Sequence, residues 1–398
     1  MFRLTPSTHP DAWGSTTAIP DLLGLVPDGR PVAEAWFGAH PSAPSVAHLP
    51  DGPARLDDVV AADPDGTLGA DVASRSGDRL PYLLKIIAAA SPISLQVHPG
   101  LARAQAGFAA EEAAGIPVDA PDRSYRDRNH KPELVYALTR FDAMVGFRAP
   151  RRAAELLVGL DTPLAADLRD VLVADPAPTG VRTAFEWLVS PTTRPGADAL
   201  QEFAAACARR LVAGSPSPRT DRTVIRLTAA YPGDAGAVTS VLLNPVTLRP
   251  GEALFVPAGT VHSYLQGVAV EIMANSDNVL RAGLTAKHID VPELLANLDA
   301  VAAPPIRIAP ERVFTSTEIY YAPVDDFELS VTRLTDEGVV RIRGRGPRVL
   351  LCLEGEVEVR TDERVALLLT RGQAAFAPAG EGVVHASGDG VLVQADVP

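Results

Sequence analysis

The stretch that most constrains this chain is residues 251–287, GEALFVPAGTVHSYLQGVAVEIMANSDNVLRAGLTAK. A turn at Arg249-Pro250-Gly251-Glu252 precedes an apolar run, Ala253 to Val256, that reads as a strand. A Pro257-Ala258-Gly259 turn follows, then His262 beside Tyr264, then a second predicted strand, Gly267 to Met273. Glu271 is the one acid in that strand. Strand, Pro-Gly turn, histidine and strand describe a small β-barrel with a metal ligand at its mouth. The unit also recurs. GEALFVPAG at 251–259 returns as GQAAFAPAG at 372–380, with six of nine positions identical at an offset of 121. Two barrels of one architecture are therefore expected. In the second copy Val383 takes the place of His262, His385 lies two residues further on, and no acid answers to Glu271. That barrel is expected to be metal-free and structural.

The rest of the chain supplies candidate partners for His262. In PYLLKIIAAASPISLQVH, residues 81–98, strands are predicted over Tyr82 to Ile87 and Ile93 to Val97. Ser94, Gln96 and His98 alternate with Ile93, Leu95 and Val97, so the three polar side chains share one face. A helix is expected over 101–114. Further strands are expected at Leu134 to Leu138 and Phe141 to Phe147. Glu133 opens the first of these, where a carboxylate must point into a pocket or bear a desolvation cost. From 150 to 230 the spacing turns helical, with Pro- and Gly-rich joints, and Phe185, Trp187 and Phe203 belong to its core. The expected fold is mainly β with an α-helical insertion. Residues 1–149 and 231–300 form the metal-bearing barrel, 150–230 the helical insertion, and 301–398 the second barrel.

Composition excludes several function classes. The net charge is −13 and no basic run offsets it, which argues against nucleic acid as a partner. Cys207 and Cys352 are the only cysteines, too few and too far apart for a disulfide framework, so a reducing cytoplasm is expected. No signal peptide and no membrane span are seen in the sequence. Of 36 basic residues only three are lysines, Lys85, Lys131 and Lys287. All three fall in the motif-bearing stretches, at positions where a compact ammonium would differ from a guanidinium.

A divalent site needs three or four donors converging from different strands. Gln96, His98, Glu133 and His262 form such a set. Two imidazoles and one carboxylate suit zinc, and also Fe(II) or Mn(II), while the neutral amide of Gln96 leaves the ion strongly Lewis-acidic. His9, His40, His48 and His288 carry no comparable signal and are expected to be structural.

Several long motifs occur in one order: EAWFGAHP at 34–41, LPYLLKII at 80–87, SLQVHPG at 94–100, RNHKPELVYAL at 128–138 and EIMANSDNVLRAGLTAK at 271–287. Together they resemble the type I mannose-6-phosphate isomerase (phosphomannose isomerase) family. Ser263 and Ala286 depart from the family pattern without touching a ligand position. The resemblance implies two cupin (jelly-roll) barrels with a helical domain, and one Zn2+ per chain on Gln96, His98, Glu133 and His262. It implies the interconversion of mannose 6-phosphate and fructose 6-phosphate. It places Arg281, Glu271, Asp277, His130 and Lys131 in the active site, and Ser94, Lys85 and Lys287 around the sugar phosphate. Such an isomerisation needs one base that moves a proton between C1 and C2 and an electrophile for the oxyanion. Glu271 is the expected base, its pKa raised by an apolar setting, and Asp277 competes for that role. His130 or Lys131 would assist ring opening, and Arg281 or Lys131 would add positive charge. The competing readings are a cupin Fe(II) dioxygenase, a non-catalytic sugar-binding cupin, and an isomerase of the same family for another sugar phosphate. A monomer acting on a small sugar phosphate, with no nucleic-acid or membrane partner, is the expected form.

Overall fold

Tyr82–Ala89 is buried at all eight positions, although Lys85 sits in its middle. That burial explains why the segment reads as one apolar run and not as an alternation: both of its faces are covered. In this computed structural model, which describes all residues except 314–315, 336–337 and 363–365, the strand pairs with Glu34–Phe37 on one side and with His262–Ala274 on the other. His262–Ala274 is the strand about which the first sheet is built. Its second half, Gly267 to Ala274, lies between Tyr82–Ala89 and Glu133–Ala137. Its first half, His262 to Gln266, pairs with Phe141–Phe147, and His262 also meets Gln96 of Leu95–Val97. The predicted strand at Ala253–Val256 occurs with those bounds, and it pairs with Glu133–Ala137.

The sequence led us to expect two barrels; the hydrogen-bonded strands form two sheets of eleven strands each. Strand accounts for 33% of the described residues and helix for 29%, so "mainly β" describes the sheets and not the rest of the chain. The second sheet is built on Val384–Asp396 and Arg348–Thr361, which pair along most of their length. Ala374–Ala377, the repeat of Ala253–Val256, pairs with Arg348–Thr361. Three strands from the start of the chain complete this sheet. Phe2–Thr5 pairs with Ala374–Ala377, Val46–Leu49 pairs with Phe2–Thr5, and Gly52–Arg55 pairs with Val46–Leu49. One apolar core joins the two sheets, with Leu84, Ile86, Val270 and Ile272 of the first packed against Leu329, Val349, Phe376 and Val393 of the second.

Five helices fill 150–230: Pro150–Leu157, Pro163–Ala174, Pro178–Val189, Ala197–Val212 and Pro218–Ala230. Four of them begin on proline, which lacks the N–H that the first turn leaves unpaired and so converts the Pro-rich joints into helix starts. Phe185 and Phe203 are fully buried in a core that also holds Leu95, Val97 and Leu280 from the first sheet, and Trp187 packs against that core.

The point at which His262–Ala274 leaves one set of partners for the other is marked by a bulge between Tyr264 and Gln266 and by Gly267 at φ +125°. A Cβ on Gly267 would lie 2.6 Å from the Arg140 carbonyl oxygen and 2.8 Å from the Phe141 Cα, both backbone atoms. Gly267→Ala is expected to destabilise the protein by about 1–3 kcal/mol, read as a lowered thermal or denaturant midpoint.

Candidate metal centre and active site

His98, Glu133 and His262 come from separate segments, and the sheet register brings them together. His262 stands opposite Gln96, and Glu133 lies between Val256 and Met273. One donor atom from each of His98, Glu133 and His262 lies within 4.8 Å of the others, and all three residues are buried. Each imidazole is fixed through Nδ1: that of His98 lies 2.8 Å from the Asn278 carbonyl oxygen, and that of His262 lies 2.9 Å from the Thr260 carbonyl oxygen. A carbonyl oxygen only accepts, so each Nδ1 carries the hydrogen and each Nε2 keeps its lone pair. Burial pushes the His98 pKa down to about 4 despite the pull of Glu133, which keeps the ring neutral. The Nε2 atoms of His98 and His262 face the two Glu133 oxygens at 3.1 and 3.3 Å. The His98 Nε2 is nonetheless a buried atom with no hydrogen-bond partner. Lone pairs converging on a carboxylate with no proton between them repel, and a divalent cation reverses that repulsion. The donor set therefore fits a metal ion.

Gln96 stands in register opposite both His262 and Arg281. Its Nε2 donates to Ser94 Oγ at 3.2 Å, which leaves the amide oxygen free of that bond. Glu133 also accepts from the Tyr264 hydroxyl at 2.9 Å, and Lys131 Nζ stands 3.6 Å away.

A second buried cluster adjoins the first. Lys85 Nζ lies 3.3 Å from Glu271 and 3.7 Å from Glu34, and it stacks over the Trp36 ring at 4.9 Å. Burial alone would lower the Lys85 pKa, but Glu34 and Glu271 outweigh it, and the ammonium stays charged. Burial, reinforced by the Glu133 charge, lifts Glu271 to about 7 against the opposing effect of Lys85.

The remaining expected residues divide. Asp277 lies 3.5 Å from His40 Nε2, which places His40, expected to be structural, at the edge of the site. His130 faces Asp326 of the second sheet. Arg281 is half-buried with no carboxylate partner among the described residues, and burial together with Arg126 lowers its pKa. Ser94 joins the cluster through Gln96. Lys287 does not join it: the residue is exposed, and its backbone N–H bonds Thr285 Oγ1. A cavity of about 1190 Å3 beside the centre is lined by His40, Arg126, His130, Asp277 and Asp326.

The sequence reading missed three residues. Glu34 carried the same signal as Glu271, an acid in an apolar strand, and could have been found. Asn278, which is fully buried, carried none. Its carbonyl holds His98, its Oδ1 accepts from Arg126 N at 2.7 Å, and its Nδ2 donates to the carbonyls of Asp127 and Asn129. Asp326 lies in a segment for which the sequence offered no function.

A family model for phosphomannose isomerase type I, catalytic domain, matches residues 1–150. The mannose-6-phosphate isomerase of Salmonella typhimurium is 41% identical over 399 residues, with 99% of both chains covered. The Homo sapiens mannose-6-phosphate isomerase is 29% identical, with 96% of this chain and 94% of that protein covered. A crystal structure of a point mutant of phosphomannose isomerase from Salmonella typhimurium superposes with a TM-score of 0.90 at 39% identity, covering 100% of this chain and 99% of that one. A structure of zinc-bound mannose 6-phosphate isomerase gives 0.89 at the same identity and coverage. With full-length identity at this level and a shared architecture throughout, the chain belongs to the type I phosphomannose isomerase family.

Proposed function

We propose that this chain is a zinc-dependent aldose–ketose isomerase that interconverts D-mannose 6-phosphate and D-fructose 6-phosphate through a cis-enediol. The observation that carries the proposal is that one strand, His262–Ala274, holds both a donor of the metal centre and a buried acid lifted toward neutrality. Those are the two functions the reaction requires. Gln96, His98, Glu133 and His262 would hold one Zn2+, which supplies Lewis acidity for the oxygen that gains negative charge. Glu271 takes the proton at C2 and returns it to C1 on the same face of the sugar. Lys85, clasped between Glu34 and Glu271, holds that base in position. Its two carboxylate partners leave Ser94, Arg281 and, from the rim, Lys287 as the groups for the phosphate dianion. Arg281 and Lys131 add positive charge near the developing oxyanion, and Asp277 is the second candidate for the shuttle. His130, with Lys131, assists ring opening.

The finer architecture belongs to the same reading. Each sheet curls into a cupin-type roll, an inference supported by the way His262–Ala274 serves different partners with its two halves. The catalytic unit comprises 1–149 and 231–300, the helical unit 150–230 and the metal-free unit 301–398, with Phe2–Thr5, Val46–Leu49 and Gly52–Arg55 lent to the last. A cytoplasmic monomer is part of the same reading. No helix among the described residues is long and apolar enough to cross a membrane.

A chelator is expected to abolish turnover of mannose 6-phosphate, and added zinc to restore it. Glu133→Gln, which removes the one anionic donor, is expected to lower zinc content at least tenfold by metal analysis, with secondary structure retained. Glu271→Gln is expected to reduce kcat by about 10²–10⁴ and to abolish solvent exchange of the C2 proton. Near-normal exchange in that variant would transfer the shuttle to Asp277. Because burial raises the Glu271 pKa to about 7, the base is lost by protonation as pH falls through that value. The acid limb of kcat should therefore lie well above the ordinary carboxylate range, and a limb near pH 4 would contradict the assignment.

A further inference from the structure

The second sheet has lost the residues that make the first a metal site, but it does not stand apart from the chemistry. Between its strands Thr317–Tyr320 and Glu328–Leu334, residues 321–327 reach the wall of the cavity beside the metal centre, which Pro323, Val324 and Asp326 line together with His130 and Asp277. The reach is anchored at both ends. Before it, the Tyr320 hydroxyl donates to the Gly251 carbonyl at 3.0 Å, and its ring packs on Tyr136 at 5.3 Å. After it, Phe327 is fully buried in the core that joins the sheets. Asp326, next to that anchor, lies 2.9 Å from His130 Nε2.

We infer that Asp326 is a positioning residue for the isomerase reaction, and that through it the metal-free sheet sets the tautomer and orientation of His130. The inference rests on the isomerase reading and on the part His130 plays in it. A carboxylate only accepts, so this bond puts the hydrogen on Nε2 and leaves the Nδ1 lone pair free. Opening the sugar ring breaks the C1–O5 bond, forms C1=O1 and moves one proton from O1 to O5. An imidazole held in this tautomer takes that proton at Nδ1 and returns it from the same atom, so no outside reactant is consumed. Neither partner is deeply buried, with side chains 23% and 18% exposed, so the pair is not needed to cancel a buried charge. Its value is geometric: an imidazole on a loop, ahead of Lys131 and Glu133, is held by a rigid hairpin from the other half of the chain.

The test is a double-mutant cycle on the full-length zinc enzyme, with kcat and KM for mannose 6-phosphate measured for Asp326→Ala, Asp326→Asn, His130→Ala and the double variant His130→Ala/Asp326→Ala. Asp326→Ala is expected to lower kcat about 10–100-fold, part of the general acid–base contribution, with KM and zinc content little changed. Asp326→Asn, which keeps an acceptor oxygen, should recover part of that loss and guards against a fold effect of the alanine. The double variant should be no slower than His130→Ala alone, because the carboxylate acts only through the ring. A loss from Asp326→Ala that persists in the His130→Ala background would make the residue merely structural and overturn the inference, as would an Asp326→Ala enzyme with unchanged kcat. A His130→Ala enzyme with unchanged kcat would overturn the role of His130 itself.

Discussion

Glu133 is the constraint around which the first sheet is arranged. Its carboxylate is 3% exposed at the head of a strand buried at every position, and an ion in such a place is tolerated only if it is compensated on all sides. Two imidazoles, a tyrosine hydroxyl and a lysine ammonium surround it. Each imidazole is turned toward it by a bond to a backbone carbonyl at the opposite nitrogen. The donors are in place, but their converging lone pairs are left uncompensated by the protein alone, so the arrangement is organised for a cation. Asn278 extends the arrangement outward, because the residue that fixes His98 also fixes the backbone of the loop leading to His130, Lys131 and Glu133. The candidate metal donors and the proposed acid–base groups thus share one scaffold.

The adjacent Glu34–Lys85–Glu271 group shows how a buried charge is put to use. Burial in an apolar wall, reinforced by the Glu133 charge and opposed by Lys85, makes Glu271 keep a proton more readily than an exposed acid would. The three residues lie on neighbouring strands, Lys85 directly opposite Glu271. Fixing an acid between strands of a packed sheet sets its direction more tightly than a loop would.

Much of this was legible in the sequence because the signals were local. The alternation of Ser94, Gln96 and His98 with apolar residues announced a strand with one polar face. The isolated acids Glu133 and Glu271 in apolar runs announced a site. Prolines at the joints of 150–230 marked where helices begin. What was not legible depended on pairing between distant segments. The carboxylates around Lys85, an expected phosphate contact, were not legible, because nothing in LPYLLKII reveals that Glu34 and Glu271 flank it on both neighbouring strands. Asp326 sits in a Pro- and Asp-bearing turn that resembles any other, and only the docking of the two sheets brings it to His130. His40 gave a weak signal because a lone histidine before a proline is common in turns.

The pairing of Phe2–Thr5 with Ala374–Ala377 has a consequence for how the protein is made. A ribosome delivers Phe2–Thr5 some 370 residues ahead of its neighbour in the second sheet, the span that separates Arg3 from Gln373. While that span is being made, Phe2–Thr5, with Val46–Leu49 and Gly52–Arg55 behind it, remains an open edge without its second partner. The first sheet can close once Ile306–Ile308 has followed, but the second closes only when Val384–Asp396 has been added. Its assembly must therefore be fast relative to the encounter of that waiting edge with another nascent chain.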